Sequence, residues 1–413
     1  MIEGESILCF APEKWQHIWR NRHQIMSRLA ARNKVLFVEP RPYLRGVWRD
    51  WREGRISWAD FGTPLVTQVR GNLWVYHPPA YAPISGRFPL NTLFRWLRET
   101  QMKNTMWRLG FRSPILWLYR PNMGDLVGRF GEKLVIYHIV DEYAAYEAEF
   151  TTIYSESRRA SVERSEHALL QAADLVIVTS ASLLERKRAY NANMHWVPNG
   201  VDYEAFASES LRNAEPPADL AGLPKPIIGY IGAVNEKLDY DLFRRVAETC
   251  TSGSLILVGP VDLRLDFTGL HKLELPNVHL LGAKPVSEVP RYVHACQVCL
   301  MPYKLNEWTA HINPLKLYEY LAAGKPVVST AIPAVRGFSP GLIYIAENEQ
   351  AFCQQVCEAL AECDAALIRR RQEFASHNTW GDRVERISEL ITLTLSGHCL
   401  AKKGKDEWMR TNL

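Results

Sequence analysis

The feature that most constrains this chain is a repeated alternation. Short apolar runs of strand length are separated by segments with helical spacing. Seven such runs fill the first half: Ser6–Phe10, Lys34–Val38, Leu73–Tyr76, Pro114–Tyr119, Lys133–Ile139, Asp174–Thr179 and His195–Pro198. Between them, Arg20–Arg32 places Ile25, Met26, Leu29 and Ala30 on one helical face, and Ser157–Gln171 reads as a longer helix. The pattern resumes with Pro226–Gly232, Ser254–Pro260, Val278–Gly282, Val298–Pro302, Pro326–Ser329 and Leu342–Tyr344. Runs apolar on both faces, joined by helices, predict parallel sheets with right-handed crossovers.

The two series are separated by a stretch rich in Ser, Asn, Glu, Pro, Ala and Gly without apolar periodicity. The expected organisation is a Rossmann-like domain over 1–205, a linker at 206–225, and a second Rossmann-like domain over 226–378. A helix over 379–397, with Val384, Ile387, Leu390 and Ile391 on one face, is expected to cross back to the first domain, ahead of a polar, frayed tail at 398–413. A chain of 413 residues is long enough for two cores. No apolar run reaches the length needed to cross a bilayer, and the acidic N-terminus lacks a signal-peptide layout, so a cytoplasmic location is expected. Cys296 and Cys299 read as buried residues at a helix-to-strand junction, because the remaining cysteines supply no second zinc pair.

Charge is uneven. Residues 1–112 carry +10 and eight of the thirteen Trp, whereas the whole chain carries +4. Such a segment suits nucleic acid, an anionic membrane surface or an anionic acceptor, or is an ordinary solvated face with Trp in the core. The stretch with Phe88, Leu93, Phe94, Trp96, Leu97 and Trp107 beside Arg95, Arg98, Lys103 and Arg108 is the candidate for resting on an inner membrane leaflet.

In open parallel sheets, ligands sit beyond the carboxyl ends of the strands. Gly232 ends a strand and permits a tight turn and close approach to a phosphate, which Lys237 would neutralise. The richest segment is Asn313–Ser329, which reads as helix, Gly324 C-cap and buried strand. Lys316 and Glu319 are three apart and share one helix face. A lysine near a helix N-terminus suits a diphosphate, and a carboxylate one turn on suits a ribose diol. Asp239-Tyr240-Asp241 has the spacing of a metal-binding Asp-x-Asp, but a helix begins there, so an N-cap and a first-turn acid explain it.

The Pro314-Leu315-Lys316-x-x-Glu319-Tyr320 run, followed by Ala322-x-Gly324-x-Pro326-Val327-Val328, resembles the GT-B glycosyltransferases of the family 4 type, in the branch that builds bacterial surface polysaccharides. Residues 277–284, the Pro198–Asp202 turn and the Tyr137–Tyr143 segment fit the same family pattern, which extends over roughly 5–395. The resemblance implies two Rossmann-like, doubly wound parallel-sheet domains facing across a cleft. It implies that Glu319 binds ribose, Lys316 the diphosphate, and the backbone of 277–284 the base. The donor set it points to is Gly232, Lys237, Gly282, Lys284, Tyr303, His311, Asn313, Lys316 and Glu319. Two departures stand out. The first Glu of the Glu-x7-Glu signature falls on His311, leaving His311 and Asn313 to read sugar hydroxyls, and Ala233 replaces the usual Arg.

On the acceptor side the candidates are Asp141 and His138. In an inverting reaction Asp141 would be the general base; in a retaining one, the family habit, the departing diphosphate takes the proton and Asp141 or His138 orients the hydroxyl. The expected activity is metal-independent transfer of a hexose from a UDP-type nucleotide sugar to a glycan or lipid-linked acceptor. No cofactor beyond the donor is expected, and no nucleic-acid partner. A non-catalytic nucleotide-sugar-binding protein and a nucleotide-sugar epimerase of the same shape are the alternatives.

Overall fold

The computed structural model describes residues 1–16, 18–55, 64–86, 89–145, 156–212, 214–261, 269–338 and 341–412, with side chains through 397. The chain divides into two compact units, Met1–Val197 with the chain from Val384 onward, and Pro198–Arg383.

The first unit holds an eight-stranded sheet: β1 Ser6–Phe10, β2 Lys34–Val38, β3 Val66–Arg70, β4 Leu73–Tyr76, β5 Ile115–Leu118, β6 Leu134–Ile139, β7 Leu175–Val178 and β8 Met194–Trp196. Their order is β3-β4-β2-β1-β5-β6-β7-β8. Seven strands run parallel, as the apolar runs predict. The exception is β3, which pairs antiparallel with β4 and was not legible as a strand. Its Val-Thr-Gln-Val-Arg sequence is mostly exposed at the sheet edge, so it carries no apolar run. Side chains of β1, β2, β5 and β6 are almost entirely buried, each large one contributing roughly 2 kcal/mol. Val384, Ile387, Leu390 and Ile391 of the last helix are buried, and Asn193 Nδ2 beside β8 donates to Thr394 Oγ1 at 3.0 Å. That helix runs Trp380–Asn412, so the tail expected to fray continues it.

The second unit holds β9 Ile227–Ile231, β10 Ser254–Val258, β11 Val278–Gly282, β12 Val298–Met301, β13 Val327–Thr330 and β14 Tyr344–Ala346. All pair in parallel in the order β11-β10-β9-β12-β13-β14. This is the doubly wound 3-2-1-4-5-6 order, whose reversal falls between β9 and β12.

The expected linker is corrected. Residues 198–225 belong to the second unit, where Phe206 and Leu220 enter its core and the Phe206 carbonyl contacts His294 Nε2 at 2.7 Å. Isolated apolar residues on short helical turns, Tyr203–Ala207 and Ala218–Leu220, have too few repeats to show periodicity. Gly200 is needed for close approach and not for a positive φ. A Cβ there would come within 2.9 Å of the Thr379–Trp380 backbone, and the adjacent Val201 donates to Asn378 O and accepts from Trp380 N, both at 3.0 Å.

Candidate functional site

The carboxyl ends of β11, β10 and β9 finish in glycines that stand side by side. Gly232 follows β9 at φ +152°, Gly259 follows β10 at φ +149°, and Gly282 ends β11 at φ +68°. Gly232 N donates to Val258 O at 2.8 Å and Gly259 N to Gly282 O at 2.9 Å. A Cβ on Gly259 would collide with the Gly232 carbonyl. The chain therefore turns tightly at the reversal point, with backbone open to close approach.

Lys316 arrives from the other side of that point. It lies in the first turn of the helix Leu315–Ala322, which has no side-chain cap. Its ammonium donates to Tyr303 Oη at 3.0 Å and lies 4.7 Å from the centroid of the Tyr230 ring. A Cβ on Gly232 would lie 2.8 Å from Lys316 Cε and 2.9 Å from Nζ, so the missing side chain is what admits the lysine. Burial works against the charge, but the phenol oxygens of Tyr230 and Tyr303 outweigh it and hold the ammonium above its ordinary value. A cation in the first turn of a helix meets the positive end of the dipole, an arrangement that disfavours the free protein and favours a bound anion.

Glu319, one turn on, is partly buried and makes no side-chain hydrogen bond among the described residues. Burial raises its carboxyl from 4.5 to about 7, against the pull of Lys316. An ammonium and an open carboxylate acceptor thus occupy successive turns at the sheet's reversal point.

Residues 225–362 match the family model described as "Glycosyl transferases group 1". That segment is similar to the group 1 glycosyltransferases. Over 359 residues the chain is 28% identical to a Bacillus subtilis (strain 168) protein described as "Putative teichuronic acid biosynthesis glycosyltransferase TuaH", covering 85% of this chain and 86% of that one. Among solved structures it superposes on sucrose-phosphate synthase from Thermosynechococcus elongatus with TM-score 0.69 and 16% identity, over 95% of this chain and 100% of that one. Anabaena HepE in complex with UDP and glucose gives TM-score 0.62 and 14% identity, over 94% and 99%. The fold is that of the GT-B glycosyltransferases.

Other candidate residues of the glycosyltransferase domain are placed differently from the sequence expectation. Lys237 lies 4.3 Å from the centroid of the Trp308 ring, drawn there by the cation–π attraction of a buried indole. It is Lys316 that reaches the Gly232 loop. Lys284 pairs with Asp219 at 2.7 Å and sits over Tyr292, so its charge is already engaged. Asn313 uses part of its amide within the chain. Its Oδ1 accepts from Asn199 N at 2.9 Å and its Nδ2 donates to Tyr318 Oη at 3.3 Å, which ties the Pro198–Asp202 turn to the Lys316 helix. His311 ends a 3-10 turn, Thr309–His311, four residues before that helix and is partly buried. Tyr303 is a neighbour of Lys316, and the 3.2 Å bond from its N to Thr330 Oγ1 fixes its backbone. Tyr230, Gly259 and Trp308 were missed; Tyr230 lies within a quoted strand, and Gly259 repeats the Gly232 signal one strand over.

The Asp-x-Asp pair is fully employed. Asp239 Oδ1 caps the helix Tyr240–Thr249 through Asp241 N at 3.0 Å and Leu242 N at 3.3 Å, and Asp241 pairs with Lys272 at 2.7 Å. Among the described residues no His, Cys, Asp and Glu group has metal-holding geometry.

In the first unit, Asp141 follows the carboxyl end of β6 and is partly buried. Behind it Glu142 and Glu166 share the buried Lys187 ammonium at 3.0 and 2.7 Å, and Tyr137 Oη donates to Glu166 at 2.9 Å. This fixes the backbone beside Asp141. His138 is a correction. It is 1% exposed, stacks on Tyr119 at 5.1 Å, and is pushed down to about 3 by burial and then by Arg22. A neutral ring enclosed in the sheet's packing cannot exchange protons with a hydroxyl in solvent. Phe88, from the basic aromatic stretch, lies outside the described residues.

Proposed function

We propose that this glycosyltransferase moves a hexosyl group from a UDP-hexose to a glycan or lipid-linked acceptor in surface-polysaccharide assembly. The observation that carries the reading is the Lys316 ammonium held against the side-chain-free Gly232 turn, with Glu319 on the next turn. Lys316 neutralises the departing diphosphate, and Tyr303 orients it through their 3.0 Å hydrogen bond. Charge-assisted contacts of this kind contribute about 1.5–3 kcal/mol each. Because they are preorganised, they act mainly where charge develops on the leaving oxygen. Glu319 accepts from the ribose hydroxyls. UDP as the nucleotide is supported by the HepE structures, solved with UDP and with UDP and glucose. The polysaccharide role is supported by TuaH.

In the proposed reaction the bond from anomeric carbon to diphosphate oxygen breaks as the bond to the acceptor oxygen forms. The acceptor proton passes to the diphosphate, with retention at the anomeric carbon and without a metal. Asp141 orients the acceptor hydroxyl. The enzyme works at the inner membrane face, where the helix Leu90–Arg108 presents Leu93, Trp96 and Trp107 exposed beside Arg95, Lys103 and Arg108. No helix among the described residues is long and apolar enough to cross a membrane.

The test is a thermal-shift series with UDP, GDP and ADP, followed by incubation with UDP-hexoses with and without a glycan acceptor. UDP should raise the melting temperature most, since a ligand bound only by the native state stabilises it, and UDP release should require acceptor. Equal shifts with all three nucleotides overturn the choice of UDP. Conversion of the sugar without acceptor indicates an epimerase, and UDP binding without turnover a binding protein.

A further inference from the structure

The cysteines of the second unit fall into two settings. Cys296 and Cys299 are enclosed in its core at 0% exposure, where no solute reaches them. Three others gather near its surface. Cys250 is the C-cap of the helix Tyr240–Thr249, and Cys353 and Cys357 are one turn apart on one face of the helix Glu349–Leu360. Cys250 and Cys353 are partly buried, and Cys357 is exposed.

The two helices are held side by side. Phe243, Val246 and Ala247 of the first and Phe352 and Val356 of the second enter the same core. Arg245 Nε pairs with Glu349 Oε1 at 2.5 Å, about one turn ahead of the cysteines on each helix. Farther along, the Cys353 thiol meets the Thr249 hydroxyl, and the Cys357 thiol meets that of Cys250. The Cys250 backbone is fixed. Its N donates to Val246 O at 2.9 Å, and its carbonyl accepts from Gly253 N at 3.2 Å and Asn277 Nδ2 at 3.4 Å. These thiols form no metal-holding group among the described residues, so the chemistry open to them is with one another.

Burial, and then the neighbouring thiols of Cys357 and Cys353, push Cys250 up to about 11, and burial raises Cys353 as well. Both keep their protons at neutral pH, so an oxidant in solvent meets the exposed Cys357 first. Its partner is decided by spacing. Residues one helical turn apart have Cβ atoms about 5–6 Å from each other, whereas a disulfide needs about 3.8 Å, so a bond from Cys357 to Cys353 would unwind their helix. Cys250, on the other helix, is free of that limit.

We propose that Cys357 and Cys250 are a reversible oxidation site that joins the helix Tyr240–Thr249 to the helix Glu349–Leu360. The oxidant is a peroxide. Its terminal oxygen passes to the Cys357 sulfur, giving a sulfenic acid and one water. The Cys250 sulfur then attacks the Cys357 sulfur, the S–O bond breaks, and hydroxide leaves with the Cys250 proton as a second water. Two thiols are oxidised to one disulfide and one peroxide is reduced to two waters. A dithiol reverses the step by exchange and becomes a disulfide itself. The closed loop contains β10 to β14, so the bond restricts the unfolded chain and stabilises the second unit.

The test is oxidation of the reduced full chain with hydrogen peroxide, alkylation, digestion without reductant and mass spectrometry, with a thermal melt of each sample. Cys357→Ser, Cys250→Ser and Cys353→Ser are run alongside. Wild type and Cys353→Ser should yield a peptide linking Cys250 to Cys357. Their melts should rise by roughly 5 °C or more, and dithiothreitol should abolish the rise. Cys357→Ser and Cys250→Ser should yield no linked peptide and no rise, and Cys250→Ser should accumulate a Cys357 sulfenic acid that dimedone traps. Cys357 is exposed, so the reduced Cys357→Ser chain should melt with wild type. A link from Cys353 to either neighbour, oxidation confined to Cys363, or Cys357 sulfenic acid persisting in wild type without a linked peptide overturns the proposal. So does a linked chain whose melt does not move.

Discussion

Replacing Glu319 by Gln should stabilise the free protein while weakening its hold on the nucleotide, and the two effects should have different pH dependences. In the folded chain the Glu319 carboxyl keeps its proton up to about pH 7, because ionising it there means charging a partly buried group; its ordinary value is 4.5. The unfolded chain releases that proton near the ordinary value. Between the two values the folded state binds more protons than the unfolded state, so stability falls as pH rises through the window. The full window corresponds to about 3 kcal/mol, and the partial exposure of the side chain reduces this to about 2 kcal/mol. Gln carries no proton to lose. The variant should therefore differ from wild type by under about 1 kcal/mol at pH 5 and be about 2 kcal/mol more stable at pH 8, or about 5 °C in melting temperature for a unit of this size. Urea melts at both pH values measure this. The same samples titrated with UDP at pH 8 should show about tenfold weaker binding in the variant, from the loss of a charged acceptor for the ribose hydroxyls. A stability difference that does not change between pH 5 and pH 8, or a variant less stable at pH 8, would refute the account of Glu319 as a carboxylate held in an unfavourable setting.

Lys316→Ala should lower kcat about a hundredfold or more and change KM for the donor much less, as expected when a preorganised cation meets charge that develops late; steady-state kinetics with a UDP-hexose would show it. Gly232→Ala and Gly259→Ala should separate. The first added methyl meets the flexible end of Lys316 and also strains a backbone at φ +152°, so activity should fall and the melt should drop by about 1–3 kcal/mol. The second meets the Gly232 backbone and should destabilise by several kcal/mol, on the order of the larger core defects. Lys187→Met should cost about 3–5 kcal/mol by leaving Glu142 and Glu166 buried without their cation, read from the same melts. Vesicle sedimentation should show binding to anionic but not neutral lipid at low salt, and weaker binding when Trp96 and Trp107 are replaced by Ser.

Thirteen of the fourteen strands were legible because they read as short apolar runs, ten of them buried along nearly their whole length and β8, β11 and β14 only in part. β3 was not, because an exposed edge strand carries Thr, Gln and Arg, and its conformation is set by β4 rather than by its own composition. The pairing of Lys316 with Glu319 was legible from helical spacing alone. Which other cation joins them was not. Lys237 and Lys284 look equivalent to Lys316 in sequence, and only the folded chain places a Trp308 ring beneath one and an Asp219 carboxylate beside the other. His138 shows the same limit. It falls in β6, where every residue is buried, so either face of the strand encloses it before any chemistry does. The family resemblance rested on the Pro314–Ser329 segment, and that is where sequence and structure agree most closely.

One further regularity separates residues that hold this fold from those that act in it. Asn313, Lys284, Asp239 and Asp241 were all plausible as chemical groups, and every one is matched by a partner that uses its charge or its hydrogen bonds. Glu319 is the reverse. It is raised by burial and makes no side-chain hydrogen bond among the described residues. It is a local choice against stability, of a kind a chain keeps where a ligand supplies what is missing. It lies one turn from Lys316, at the β9–β12 reversal. In a doubly wound sheet the crossover helices diverge at that point and leave room for a ligand. Under the proposed function, the diphosphate and the ribose diol of the donor supply what Glu319 and its neighbours lack at that point.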